Sequence, residues 1–103
     1  MLINRSGDEP ADHELTLGSV HNYYERLVLD ALERDPVTAA YSQDLLADLL
    51  CLALNRLPAR YVRHDVDTAF YLTQEERVAM HTRINQAVQD AIAQIAESPD
   101  TRL

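Results

Sequence analysis

Ala53-Leu54-Asn55-Arg56-Leu57-Pro58-Ala59-Arg60-Tyr61-Val62 decides how the chain is organised. A strongly apolar run, Leu45 to Leu54, leads into it and predicts a helix buried on nearly every side. Such a helix is central, or it lies between subunits. Pro58 stops it, because proline has no N–H to donate and pushes Leu57 away from helical geometry. Around the stop stand Arg56, Arg60 and Arg63, with Tyr61 among them: three of the chain's nine cations within eight residues. Two readings of this cluster stand. Guanidinium forks held by a rigid neighbour suit a planar or phosphorylated anion. Equally, they cap the last helical carbonyls or pair with the nearby Asp65 and Asp67.

Upstream, Ser42 is placed to cap the apolar helix through the N–H of Leu45, and Asp44 suits its positive end. Asp48 is the one acid inside the apolar run. It is read as an edge residue or as an anchor for an arginine or a backbone turn, since an unpaired buried carboxylate is costly. Before that, Gly18-Ser19 opens a first helix, with Ser19 as its N-cap, running to about Arg34. Val20, Tyr23, Tyr24, Leu27, Val28, Ala31 and Leu32 recur at spacings of three and four and form its apolar face. Tyr24 is suited either to the core or to stacking on a ring. Asp35-Pro36 ends the helix, and a loop follows to Tyr41. Residues 1–18 read as a flexible acidic arm docked through Leu15 and Leu17.

Downstream, Tyr61-Val62-Arg63 reads as a short extended segment, an edge strand able to pair across a dimer axis. His64 to Tyr71 reads as a loop anchored by Phe70 and Tyr71. Thr73-Gln74-Glu75-Glu76 is a capping box that starts a last helix, running to about Glu97 before Pro99. Val78, Ile84, Ala87, Val88, Ala91, Ile92 and Ile95, with Met80 or His81 at the start, form a stripe that asks for an antiparallel or coiled-coil-like partner helix and is expected to be buried between subunits. The fold class is therefore mainly α: a small helical domain of three principal helices over residues 19–98, with a short extended segment after the second, homodimeric, and a tail at 99–103.

A chain of 103 residues suits one domain with a thin core. Its formal net charge of −8 argues against broad binding to a nucleic acid polymer, but one local arginine cluster outweighs the global field at close range. All nine cations are arginine, so each is able to make bidentate contacts or stack on a base. The single cysteine, Cys51, cannot close an intramolecular disulfide and reads as a small buried hydrophobe. No stretch is long enough to span a membrane and no signal peptide is evident, so no membrane insertion is expected and the location expected is cytoplasmic.

Support for catalysis is thin. The histidines at 13, 21, 64 and 81 share no metal-ligand spacing with each other or with Cys51. His64, Asp65 and Asp67 have the composition of a loop cation site, although surface loops carry such clusters for solubility. Gly7 and Gly18 are the only glycines, so no glycine-rich phosphate cradle exists. Nothing selects two catalytic acids from seventeen. The expectation is a protein that is not an enzyme and carries no metal or cofactor.

At Asn22-Tyr23-Tyr24-Glu25, and again from Asp48 through Ala53-Leu54-Asn55-Arg56-Leu57-Pro58-Ala59-Arg60-Tyr61-Val62, the chain resembles the late competence development ComFB family. That family's pattern is an early Asn-x-x-Glu helix, an apolar helix ending in Ala-Leu-Asn, a Leu-Pro-Pro-(Lys/Arg)-Tyr-Val segment and a long last helix. The resemblance covers roughly Ser19 to Ile95, and the Ala-Leu-Asn-x-Leu-Pro-x-Arg-Tyr-Val segment is its specific part. Ala59 stands where the family has a second proline, which loosens the turn. Many members carry a cysteine cluster before the second helix, read as a zinc site. The stretch around Ala40, Ser42 and Leu45 has no cysteine, so the zinc is not carried over.

The resemblance implies a non-enzymatic, helical homodimer that recognises cyclic di-GMP and controls motility, biofilm or competence-type behaviour through an unidentified downstream protein. Such a ligand needs cations for two phosphates, donors for guanine O6 and N7, and flat faces for stacking. Asn55, Arg56, Arg60, Tyr61 and Arg63 are the expected ligand-binding residues on those grounds, with Asn55 equally suited to tying down the turn's backbone. The switch expected is the Pro58 turn with the loop to Tyr71. The alternative is a ligand-free acidic helical dimer that acts as an adaptor between proteins, its arginines paired with Asp48, Asp65 or Asp67.

Overall fold

The computed structural model describes residues 17–97. Residues 1–16 of the arm, with Leu15, and the tail at 99–103 lie outside the described residues. The elements are β1 (His21–Asn22), α1 (Tyr24–Arg34), a 3-10 turn (Thr38–Ala40), α2 (Gln43–Leu54), β2 (Tyr61–Val62), α3 (Asp65–Tyr71) and α4 (Gln74–Glu97). The protein is mainly helical, as the apolar periodicities require. Helices α1, α2 and α4 pack on one another and share one core.

The helix boundaries follow local chemistry. Ser42 Oγ accepts from Leu45 N–H at 3.2 Å and starts α2. Leu57 N–H reaches Leu54 O at 3.1 Å, so the chain closes one tight turn before Pro58 ends it. Thr73 and Glu76 form the expected capping box: Thr73 Oγ1 accepts from Glu76 N–H at 3.0 Å, and Glu76 Oε1 accepts from Thr73 N–H at 2.8 Å. After α1, Asp35 Oδ1 accepts from Val37 N–H at 2.8 Å, and the fully buried Thr38 donates its hydroxyl to Leu32 O. This covers the carbonyl end of α1.

Five details depart from the sequence reading. First, α1 starts at Tyr24 rather than at Ser19. The backbone of His21 and Asn22 is taken by an antiparallel ladder to β2, in the register His21↔Val62 and Asn22↔Tyr61. Second, β2 therefore pairs inside its own chain, not across a dimer axis. Third, residues 65–71 form a helix instead of a loop. Asp65 and Asp67 favour its positive end, and Thr68 bonds back to His64 O through both N–H and hydroxyl. Phe70 and Tyr71 do not anchor it inward. They are 77% and 80% exposed, and their rings meet edge to face at 5.3 Å. Leu17 is also exposed, not docked. Fourth, Cys51 is exposed: it follows Ala47 by one turn on the side of α2 opposite Leu49, Leu52 and Ala53.

Fifth, the stripe on α4 is the fold's own core. Ile84 is 2% exposed, and Met80, Ala87, Val88 and Ala91 are buried against α1 and α2, whereas Val78 faces solvent. A hydrophobic period shows that a helix has a covered face; here sister helices in the same chain cover it. Ile84→Asp is thus expected to unfold the protein rather than split a dimer. The substitution places a carboxylate in a packed core, and urea titration should show a loss of more than about 3 kcal/mol.

Candidate functional site

The turn after Pro58 is held by one buried side chain. Asn22, 8% exposed, accepts at Oδ1 from Tyr24 N–H at 3.2 Å and from Arg60 N–H at 3.1 Å. Glu25 Oε2 accepts from Asn22 N–H at 3.4 Å. The Asn-x-x-Glu pair thus behaves like a capping box that also captures a second segment. Arg60 O accepts from Tyr23 N–H at 2.6 Å. Both backbone groups of Arg60 are therefore bonded, and its guanidinium departs from a fixed point.

Arg60 lines a cavity of about 440 Å³ together with Tyr24, Thr73, Glu75, Glu76 and Arg83. Arg83, on α4, donates from Nη1 to Tyr24 Oη at 3.3 Å. Glu76 is held below the usual carboxylate range, chiefly by the Thr73 N–H, against some desolvation, with help from the Thr73 hydroxyl and the Arg60 charge. A second cavity, of about 390 Å³, is lined by Arg56, Leu57, Arg83, Gln86, Ala87 and Asp90. There Arg56 donates from Nη2 to Gln94 Oε1 at 3.0 Å, and its Nη1 lies 3.8 Å from Asp90 Oδ2.

The five residues expected at the site are thus divided. Arg60 and Arg56 line the two cavities. Arg63 turns elsewhere, donating from Nε to Ser19 Oγ at 3.2 Å. Tyr61 is 70% exposed on β2, and Asn55 is exposed at the end of α2. Neither belongs to the lining of either cavity. Sequence reasoning missed Arg83, Glu75 and Glu76. A signal was available: Glu76, Arg83 and Asp90 recur every seven residues beside the Met80–Ile84–Ala87 core face, which sets them along one edge of α4.

Asp65, one of three residues with the composition of a loop cation site, is instead bound to His21. His21 Nε2 lies 2.6 Å from Asp65 Oδ1, and Nδ1 lies 2.7 Å from Ser19 O. With an acceptor at each nitrogen, the imidazolium form is favoured, and the pKa rises from its ordinary 6.5. The Ser19 carbonyl is the largest cause, then the Asp65 hydrogen bond, partly opposed by desolvation. Among the described residues no group of three or more His, Cys, Asp or Glu side chains is arranged to hold a metal ion.

The fold is that of a small helical protein with an arginine-bearing turn packed beside its long helix. The family model for the late competence development protein ComFB matches residues 21–99, and the chain belongs to that family. Membership associates it with late competence development. No curated protein and no solved structure matches it.

The His21–Asp65 pair has a testable pH signature. The folded-state pKa of His21 is raised, so the pair's contribution to stability is complete below the unfolded value near 6.5 and is lost as pH rises through the folded value. Asp65→Asn should lower the His21 midpoint measured by NMR titration. An unchanged midpoint would place the cause elsewhere.

Proposed function

We propose that this chain is a non-enzymatic cyclic di-GMP receptor that controls motility, biofilm or competence-type behaviour by altering its contact with a downstream protein. The observation that carries this reading is the meeting of Arg60, from the turn, and Arg83, from α4, on one open cavity. Two guanidinium groups from different elements, one fixed by its own backbone, suit a phosphate or a guanine edge. Arg56 adds a third beside Arg83. Tyr61, next to Arg60, offers an exposed ring for stacking, and Asn55 and Arg63 flank the same turn. The setting proposed is the cytoplasm, where second messengers act; among the described residues no helix is long and apolar enough to cross a membrane.

The receptor reading includes a homodimer. With the α4 stripe used inside the chain, the surface that supports assembly is the outer face of α3, where Val66, Phe70 and Tyr71 are each more than three-quarters exposed. The same face favours a second reading, an adaptor that binds a protein partner without ligand.

Calorimetric titration with cyclic di-GMP separates the two. The receptor should bind saturably, and Arg60→Ala should lose about 1.5–3 kcal/mol of binding while keeping its circular dichroism. Native protein that takes up no ligand at millimolar concentration would leave the adaptor. Phe70→Asp should leave the fold intact and yield a monomer in light scattering; a dimer of unchanged mass would remove α3 from the interface.

A further inference from the structure

Arg83 lines both cavities on this side of the molecule. On one side of it lie Arg60 and Glu75; on the other lie Arg56 and Asp90. Each basin therefore combines a guanidinium from the segment after α2 with a carboxylate from α4. That combination has a specific chemical complement. Guanine accepts at O6 and N7, where a guanidinium donates, and it donates from N1–H and its 2-amino group, where a carboxylate accepts. Adenine offers a lone pair at N1 and has no 2-amino group, so the same carboxylate repels it. A basin with both groups selects guanine by attraction and rejects adenine by repulsion.

The carboxylates are available for this. Glu76 is committed to its capping box, but Glu75 beside it is exposed, and among the described residues it has no hydrogen-bond or ion-pair partner. Asp90 accepts at Oδ1 from Gln86 Nε2 at 2.9 Å, while its Oδ2 meets Arg56 only at 3.8 Å. Such a half-exposed, loose pair is worth about 1 kcal/mol or less and is readily exchanged for a ligand.

We propose that the two cavities are halves of one bipartite site centred on Arg83. A cyclic diguanylate lies across it, with a phosphate on Arg83, one guanine in the Arg60–Glu75 basin and the other in the Arg56–Asp90 basin. This rests on the receptor reading above and adds to it the arrangement of the ligand and the residues that select the base.

The test is calorimetric titration of the native chain and of Glu75→Gln, Asp90→Asn, Arg83→Gln and Arg60→Ala with cyclic di-GMP and with cyclic di-AMP. The native chain should prefer the diguanylate. Glu75→Gln and Asp90→Asn should each weaken diguanylate binding about tenfold and narrow the preference, and Arg83→Gln should weaken it by at least about tenfold. Loss in only one of the two carboxylate variants would mean a single basin and would overturn the bipartite site. If Arg60→Ala loses binding while the other three variants bind as the native chain does, the receptor stands and the bipartite site is overturned alone. Failure of the native chain to bind either dinucleotide overturns both.

Discussion

One carboxamide oxygen organises this protein. Asn22 Oδ1 accepts from the N–H of Tyr24 and the N–H of Arg60, so the start of α1 and the turn beyond α2 are fixed by the same atom. The strands that accompany it are two residues each, too short to hold two segments together unaided. Removal of the side chain would strand a buried donor at Tyr24 and a part-buried one at Arg60, and an unmet buried donor costs more than its bond contributes. The position of Arg60 is therefore a consequence of Asn22. So is the cavity that Arg60 shares with Tyr24 and Arg83, because Tyr24 begins α1 from the other bond to that oxygen.

The arginines on this side work against the sign of the whole chain. At −8, the long-range field repels an anion, and attraction develops only within about a Debye length, roughly 10 Å. Close to the turn the balance is local. Arg60 and Arg56 lie beside the edge of α4 that carries Glu76, Arg83 and Asp90. The ion pair there is not tight: Arg56 and Asp90 are 3.8 Å apart and each more than two-fifths exposed. Exposed pairs of this kind satisfy the charges without locking them, so little stability is at stake when one is opened.

The helices were legible because their signals are local. Ser42, the Thr73–Glu76 box and Pro58 each act within four residues, and each acts in the structure as its chemistry dictates. What could not be read is relational. Two-residue strands carry no period, so His21–Asn22 looked like the first turn of a helix. Seven residues make two helical turns, too few for Val66, Phe70 and Tyr71 to declare a face. A helix apolar all round does not say which side meets solvent, and Cys51 fell on the wrong one. The α4 stripe announced a covered face without naming its cover. At the site, Arg60 was visible from the proline beside it. Arg83 sits 23 residues further on, and only packing of α4 against the turn brings the two to one cavity.

The same connections define what a bound ligand could change. Arg60 is followed directly by β2, and β2 leads to Arg63, which holds Ser19, and to Asp65, which holds His21. Beyond lies α3, which alone among the described helices has no buried residue. The side-chain hydrogen bonds that tie it to the rest of the molecule are exposed: Asp65 to His21, and Arg77 Nη2 to Ala69 O at 2.7 Å. An element held this way opens at lower free energy than the α1–α2–α4 core. A ligand shifts an equilibrium only by the difference in its affinity for the two states. On the receptor reading proposed above, a ligand seated on Arg60 acts most readily on the nearest element outside that core, which is α3 with its exposed Val66, Phe70 and Tyr71.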